Sequence, residues 1–289
     1  MTKHSSFPYL LVLPSLVFFG CFFVFPIAYM VYLSLFDWNF VTPTMNFVAL
    51  ENFKTLFADA RFRQVVVNTV IYTVLTVGLT QTLSLLLAVA LNKNEKIYTL
   101  TQTAIFSPYI ISLVSISMLW MWMMDVDYGL LNYVLHLFGL KEVAWITDPN
   151  VALYSLVLIS VWKSIGYYTL IFIAGLQSIP KYIHEAAIMD NTSPARKFIH
   201  ITLPMLSPTI FFTGITSLIA CFKVFETIAI MTQGGPANAT NTFVYFIYEY
   251  GFKFFKIGYA SAAGVVLLGI VSVLTVIYFK TMAKRVYYQ

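Results

Sequence analysis

Charged residues are scarce in this sequence. Only 10% of its 289 residues are Asp, Glu, Lys or Arg, and 60% are hydrophobic. Soluble globular proteins carry about a quarter charged residues, so this scarcity excludes an ordinary soluble domain and predicts a polytopic membrane protein. The formal net charge of +5 would suggest nucleic-acid binding in a soluble protein. In a membrane protein it is typical of basic cytoplasmic loops, and we expect no nucleic-acid partner.

Cysteine is also rare, and no metal-binding cluster is visible. The two cysteines, Cys21 and Cys221, fall in apolar stretches. Their positions exclude a disulfide framework and predict that both are buried as small hydrophobic side chains. The four histidines are scattered, without a ligand-like partner at metal spacing: His4, His136, His184 and His200. We therefore expect this chain to bind no metal and no other cofactor.

A nucleotide-binding motif is absent as well. The glycine-rich stretch 232–236 lacks the Lys-Ser/Thr pair and the preceding strand of a phosphate-binding loop. No His/Asp/Glu cluster is spaced for acid–base chemistry. The chain is therefore not expected to hydrolyse ATP or to be an enzyme by itself.

Long hydrophobic runs are what the sequence has instead. Six of them reach the roughly twenty residues needed to cross the hydrocarbon core. They cover residues 8–35, 65–91, 102–124, 151–176, 205–231 and 259–280. The first run is too long for a signal peptide and lacks a cleavage site, so we predict a retained span, kinked or broken by Pro14 and Pro26. The sequence thus predicts an all-α polytopic membrane protein with one transmembrane domain over residues 1–289.

The distribution of Lys and Arg predicts the orientation of the spans. With the termini placed inside, the cytoplasmic side holds nine bases and three acids, and the outside holds six bases and eight acids. The nine bases are Lys3, Lys93, Lys96, Lys181, Arg196, Lys197, Lys280, Lys284 and Arg285. This asymmetry predicts cytoplasmic termini and puts the polar segment 179–208 in the cytoplasm.

The segment 179–208, between the fourth and fifth runs, has the pattern of a docking element. Residues 182–189 and 195–202 are predicted to form short helices, separated by the helix-breaking residues 190–194. Two short helices around a tight corner have little to bury unless another protein covers them.

This segment resembles the cytoplasmic EAA loop of importer-type ABC transporter permeases. The family pattern is EAA, three residues, Gly, nine residues and I-x-L-P, and only the Gly differs here, being Asn191. After Gly, Asn tolerates the left-handed conformation of a corner best, so we expect a positive φ at Asn191. The residues that the resemblance implies in coupling to an ATPase are Glu185, Ala186, Ala187, Asp190, Asn191, Ile201, Leu203 and Pro204.

Two further stretches extend the resemblance. N-F-x-x-L-F at residues 52–57 is similar to the family, and T-x-G-G-P at residues 232–236 is similar to its carbohydrate-importing subgroup. The resemblance implies the type I ABC importer permease fold in the bacterial cytoplasmic membrane. It implies a second, homologous permease subunit, two ATPase subunits that bind ATP and Mg²⁺, and an extracytoplasmic solute-binding protein. The implied function is the uptake of a sugar or oligosaccharide by alternating access.

Three charged side chains lie inside predicted spans, where charges are costly and usually functional. Lys163 is in the fourth run, and Lys223 and Glu226 are three residues apart in the fifth, so one helix would place them on a shared face. Aromatic and polar neighbours would suit a polyhydroxylated solute. The candidate pathway residues are Trp162, Lys163, Ser164, Tyr167, Ser217, Phe222, Lys223 and Glu226. The alternative is an interhelical ion pair that only fixes the packing of the spans.

Two other transport functions stay open at this point. Lys163 and Lys223 would suit an importer of glycerol-3-phosphate or a phosphodiester, although Glu226 opposes them. An ion-coupled secondary transporter should show paired repeats and buried acids, but no symmetry between the halves of the sequence is visible.

Overall fold

The structure is a computed structural model that describes residues 7–93 and 95–282, without the side chains of residues 7–10 and 184. The orientation assigned to Lys3, Lys284 and Arg285 and the interpretation of His4 concern residues outside this part. The helices are α1 (Phe7–Phe19), α2 (Phe25–Leu33), α3 (Glu51–Ala58), α4 (Ala60–Leu91), α5 (Lys96–Ile110), α6 (Leu113–Met123), α7 (Leu130–Leu137), α8 (Ala152–Gln177), α9 (Lys181–Met189), α10 (Pro194–Lys197), α11 (Leu203–Met205), α12 (Ser207–Phe222), α13 (Glu226–Met231), α14 (Phe243–Tyr248) and α15 (Ile257–Met282). A short antiparallel hairpin pairs β1 (Phe36–Asp37) with β2 (Asn46–Phe47).

The expected all-α polytopic architecture is confirmed. Within the described residues, five helices are long and apolar enough to cross a membrane, or six if the bent pair α5–α6 counts as one span. The first run is not broken at its prolines, because helix continues from α1 through a π-helical turn at Gly20–Val24 into α2. The second run extends further back than predicted, since α4 begins at Ala60.

The third run, predicted as one span over residues 102–124, is sharply bent. The axes of α5 and α6 differ by 98°. Between them Ile111 (φ −70°, ψ 142°) and Ser112 (φ −55°, ψ 135°) have non-helical conformations, so the helical hydrogen-bond ladder is interrupted. Pro108, in the last turn of α5, weakens this end of the helix because it donates no backbone hydrogen bond.

The fifth run is also interrupted. The helix α12 ends at Phe222, and α13 begins only at Glu226, with Phe225 at φ −143° and ψ −57°. Lys223 and Glu226 therefore do not lie on one continuous helix, and the expectation of a shared face was wrong. Among the residues that the structure describes, no ion pair joins their side chains.

The contacts of the chain fall into two compact units. The first contains residues 7–62 and 246–269 of the described chain. In it the side-chain amide of Asn52 donates to the carbonyl oxygens of Ser34 and Phe36, each at 2.9 Å. The hydroxyl of Tyr259 donates to Asp59 at 2.8 Å. These bonds fix the hairpin and the start of α15.

The second unit contains residues 63–245 and the described part of the chain from 270 onward. Hydrogen bonds between spans stabilise it, because polar groups inside a bilayer need partners within the protein. The hydroxyls of Tyr72 on α4 and Ser160 on α8 are 2.6 Å apart. The side-chain amide of Gln81 on α4 donates to Ser217 and accepts from Thr213, both on α12.

The cysteine of the first span, Cys21, is not buried as we expected. The most apolar window of Leu11–Leu33 has no buried residue, and Cys21 is exposed, whereas Cys221 is buried as predicted. The prediction for Cys21 was wrong because no element of the described chain covers this part of the helix.

Close approach of α5 and α8 gives a stability test at Gly166. A Cβ atom there would lie 1.9 Å from the backbone oxygen of Ile105, which cannot move aside as a flexible side chain does. Gly166→Ala should therefore force the helices apart and cost about 1–3 kcal/mol, as overpacking does. Thermal unfolding of the purified chain in detergent measures the loss.

Gly78→Ala on α4 is the matched control, since its added Cβ would meet nothing within 4 Å. Its melting temperature should stay the same or rise slightly, because Ala favours helix over Gly. Equal melting temperatures for the two variants would contradict the close approach of α5 and α8.

Candidate functional site

A stripe of hydroxyl side chains follows one face of α4. Its members recur every three or four residues and are all buried: Thr69, Thr73, Thr76, Thr80 and Ser84. In a bilayer such a stripe is stable only if it faces the protein interior or a water-filled cavity. We did not predict these residues from the sequence, although the helical spacing of hydroxyls within an apolar run was a signal for them.

A cavity of about 210 Å³ lies beside this stripe in the second unit. Its polar lining comes mainly from α4, α8, the break between α12 and α13, and Tyr109 near the end of α5. The lining residues are Tyr72, Thr76, Thr80, Tyr109, Leu113, Ser160, Lys163, Ser164, Tyr168, Ser217, Ala220, Cys221, Lys223, Val224, Glu226 and Thr227. Both interrupted spans thus reach the wall of the same cavity.

Five of the eight predicted pathway residues line this cavity, namely Lys163, Ser164, Ser217, Lys223 and Glu226. The other three are next to it in sequence but outside the lining. Trp162 packs its ring edge-on against Trp120, and Tyr167 stacks on Tyr109 with ring centroids 4.3 Å apart. Phe222 is buried. The aromatic faces at the cavity belong instead to Tyr72, Tyr109 and Tyr168, which are not among the candidate pathway residues.

The three charged residues of the cavity have different environments. The ammonium of Lys163 donates to three backbone carbonyl oxygens, those of Pro108 at 3.1 Å, Tyr109 at 3.1 Å and Ile111 at 2.6 Å. Lys223 and Glu226 are exposed at the cavity. The alternative of an ion pair that fixes the packing of the spans is not realised, since none of the three has an ion-pair partner in the described residues.

The polar segment 179–208 forms the predicted helix–corner–helix. The first helix is α9, and Asn191 has φ +51°, which confirms the left-handed corner. The amide of Thr192 donates to the carbonyl of Ala187 at 3.0 Å, and that of Asn191 to Ile188 at 3.0 Å. These two bonds form a Schellman motif, which satisfies the last carbonyls of the helix.

In the second half of the segment, helical structure continues further than predicted. After α10 the chain forms a π-helical turn over Phe198–Thr202 and then α11, so helical structure extends past the predicted end at residue 202. Pro204 sits at the start of α11, where its missing amide proton costs little. A single residue, the fully buried Leu206, separates α11 from α12.

The loop presents apolar side chains to its surroundings. Tyr182, Ile188 and Met189 are 69%, 66% and 85% exposed. Among the EAA-loop positions, Glu185, Ala186, Asp190 and Asn191 are exposed, Ile201, Leu203 and Pro204 are partly buried, and Ala187 is buried. Ala187 thus packs within this chain, whereas its neighbours form an uncovered surface.

A basic residue next to the loop between α4 and α5 is held in its charged form. The hydroxyl of Tyr98 lies 2.8 Å from the ammonium of Lys93. This hydrogen bond raises the pKa of Lys93. An exposed lysine is charged at neutral pH in any case, so Lys93 counts among the bases of the side predicted to be cytoplasmic.

Comparison with known proteins identifies the family. Residues 80–287 match the family described as binding-protein-dependent transport system inner membrane component. The chain belongs to this family. This permease is therefore an inner-membrane, multi-pass subunit of an ABC importer, as the EAA loop indicated, and a solute-binding protein belongs to such a system.

Relatives match this permease over nearly its whole length. The sn-glycerol-3-phosphate transport system permease protein UgpA of Pectobacterium atrosepticum is 35% identical, over 99% of this chain and 97% of that protein. UgpA of Agrobacterium fabrum is 36% identical over the same shares of the two chains. The probable ABC transporter permease protein YurN of Bacillus subtilis is 34% identical, over 97% of this chain and 98% of that protein.

A solved structure confirms the fold. The crystal structure of a bacterial ABC transporter involved in the import of the acidic polysaccharide alginate gives a TM-score of 0.83 at 24% identity. The match covers 96% of this permease and 95% of that chain. At this identity the likeness shows the fold alone, and the expected type I ABC importer permease fold is confirmed.

The corner at Asn191 can be tested by hydrogen exchange. Asn191→Val should weaken the end of α9, because a β-branched residue is strongly disfavoured at positive φ. The amide of Thr192, which closes the Schellman motif, should then exchange faster in hydrogen–deuterium exchange of the full chain. Asn191→Gly restores the residue of the family pattern and should exchange as slowly as the wild type. Equal exchange in the valine and glycine variants would contradict this role of the corner.

Proposed function

We propose that this permease subunit moves a sugar or oligosaccharide across the cytoplasmic membrane, through a path that includes the cavity. The proposal rests on one observation: two helices that line the cavity are joined by the polar segment 179–208. The helix α8 lines the cavity with Ser160, Lys163 and Ser164 and leads directly into the polar segment; α12 leaves that segment and lines the cavity with Ser217. Movement of the loop would therefore move two walls of the cavity.

The chemistry of the lining supports a polyhydroxylated solute. Sugar rings stack on aromatic faces, and their hydroxyls exchange hydrogen bonds with small polar side chains. The cavity offers three tyrosines and six Ser or Thr residues: Tyr72, Tyr109, Tyr168, Thr76, Thr80, Ser160, Ser164, Ser217 and Thr227. The pathway roles of Trp162, Tyr167 and Phe222 become indirect in this proposal, through packing behind the lining.

The charges of the cavity support a neutral solute over a phosphate. Lys223 and Glu226 have opposite signs, and the three donors of Lys163 already meet three carbonyl oxygens. An importer of glycerol-3-phosphate is the second candidate, because several relatives carry that name. For it, Lys223 is the cation that would meet the phosphate.

We further propose that the polar segment docks on an ATPase subunit. The exposed Tyr182, Ile188 and Met189 form an apolar surface of the kind that partner proteins cover. A buried cluster connects the ends of this segment to the spans, with members Ala88, Phe172, Ile173, Leu176, Ile179 and Leu206. Closure of the docked ATPase around ATP and Mg²⁺ would reach the cavity through this cluster, because packed interiors transmit displacement.

The remaining partners follow from the same proposal. A second, homologous permease would complete the path, two ATPase subunits would supply the power stroke, and the solute-binding protein would deliver the solute from outside. ATP and Mg²⁺ would bind to the ATPase subunits and not to this chain. The coupling residues would be the exposed Glu185, Ala186, Asp190 and Asn191, with Ala187, Ile201, Leu203 and Pro204 holding the loop in shape.

Coupling is tested by reversing one exposed charge of α9. Glu185→Lys should lower ATP-dependent uptake at least about tenfold, since an interfacial charge reversal costs more than about 1.4 kcal/mol. Uptake is measured in cells, with the membrane level of the permease determined by immunoblot. Glu95→Lys is the control, a reversal on another exposed loop, and should transport normally. Normal uptake by the Glu185 variant would refute the docking role of α9.

Solute contact is tested at a hydroxyl of the α4 stripe. Thr76→Val should weaken apparent affinity about 2–10-fold, the effect of one lost hydrogen bond of about 0.5–1.5 kcal/mol. Transporter in proteoliposomes, with the co-purifying binding protein, is assayed for stimulation of ATPase activity by maltose, maltotriose, raffinose and sn-glycerol-3-phosphate. Thr103→Val, at an exposed position of α5, should leave the apparent affinity unchanged. Stimulation by glycerol-3-phosphate alone would replace the sugar proposal by the second candidate.

A further inference from the structure

The bend of the third span leaves backbone groups without helical partners. An α-helix ends with up to four carbonyl groups that receive no amide from the following turn. At the end of α5 the next two residues are non-helical, so amides of α6 cannot reach these carbonyls. In a bilayer such groups are costly unless another part of the protein supplies a donor.

Lys163 of α8 supplies those donors. Its Nζ atom lies 3.1 Å from the carbonyl oxygen of Pro108, 3.1 Å from that of Tyr109 and 2.6 Å from that of Ile111. An ammonium group has three hydrogens, and three acceptors surround this one. The carboxyl end of a helix also carries a partial negative charge, which favours a cation at this position.

We propose that Lys163 is a positioning residue that holds the third span in its bent form, and that it is not a ligand of the solute. The clamp also fixes Tyr109, whose carbonyl it binds and whose ring lines the cavity. That ring stacks on Tyr167 at an interplanar angle of 7°, four residues beyond the clamp on α8. This inference goes beyond the proposed function and does not depend on which solute is carried.

The close packing around the clamp supports this assignment. Gly166, one turn beyond Lys163, lets the backbone of α8 approach Ile105 and Phe106 of α5. The lysine stem therefore starts close to the helix whose end it caps. A cation that binds a solute anion needs a donor turned toward the solute, whereas the donors of Lys163 have acceptors on the bend.

The bend can be measured by the distance between two spin labels. Labels at Leu100→Cys on α5 and Trp122→Cys on α6 use positions that are 66% and 57% exposed. With a rise of about 1.5 Å per residue, the observed bend puts their Cα atoms about 20 Å apart, and a straight helix about 33 Å apart. The native cysteines are replaced by Cys21→Ser and Cys221→Ala, and the full chain is studied in lipid nanodiscs by double electron–electron resonance.

Lys163→Met should broaden the distance distribution and lengthen its mean toward the straight value, because three carbonyl groups lose their donor. Lys163→Arg keeps a cation with several N–H groups and should restore the narrow distribution. Lys223→Met removes the other cation of the cavity, which has no hydrogen-bond or ion-pair partner among the described residues, and should leave the distribution unchanged. If Lys163→Met is not recovered from the membrane, Lys163→Gln takes its place.

The accessibility of the cavity wall at position 109 gives a second measurement. A cysteine introduced by Tyr109→Cys should react several-fold faster with neutral 2-hydroxyethyl methanethiosulfonate in the Lys163→Met background than in the Lys163→Arg background. The inference is overturned if Lys163→Met keeps the wild-type distance distribution, or if Lys223→Met disturbs it equally. Unequal results for the two lysines, in the expected direction, support the clamp even if the carried solute proves to be a phosphate.

Discussion

The need of every polar group in a bilayer for a partner within the protein governs the second unit of this permease. No water in the hydrocarbon core can satisfy a stray hydroxyl or carbonyl group. The hydroxyls of Tyr72, Thr80 and Ser84 on α4 accordingly find partners on α8. Gln81 serves as both donor and acceptor between α4 and α12. At the bend after α5, Lys163 supplies the donors for carbonyl groups that lack helical partners. The cavity lies where these polar faces meet without filling the space between them.

The sequence predicted the class of fold and the loop well, for physical reasons. Bilayer thickness sets the length of a span, so six apolar runs could be located, and a positive-φ corner selects Gly or Asn, so Asn191 could be assigned. This reasoning did not predict the interruptions of the third and fifth runs. Neither Ile111–Ser112 nor the stretch 223–225 contains Gly or Pro, and Pro108 alone, three residues before the first break, does not specify a bend. Lys163 of α8 binds the first break, and Phe225 in the second packs against Tyr245. The α4 stripe escaped notice because threonine is nearly neutral in hydropathy, so the window in α4 still has a mean hydropathy of 2.0.

In the polar segment 179–208, the residues of the EAA pattern are not the same set as the residues exposed to a partner. Ala187 belongs to the EAA pattern but is 4% exposed, whereas Met189, outside the pattern, is 85% exposed. Part of the pattern thus specifies how the loop packs on its own chain, and the residues available to a partner lie beside it. The two roles separate because each residue of a helix is rotated by about 100° from the one before, so Ala187 and Met189, two residues apart, lie on nearly opposite faces.

The contact at Gly166 constrains how the walls of the cavity can rearrange. Two backbones that touch with no side chain between them cannot slide along each other, since any residue other than glycine that entered the gap would collide with the opposite helix. We therefore expect the parts of α5 and α8 around Ile105 and Gly166 to move together. Because Lys163 holds the bend at Ile111, a rearrangement of the cavity walls would have its joint at the interruption between α12 and α13, around Val224.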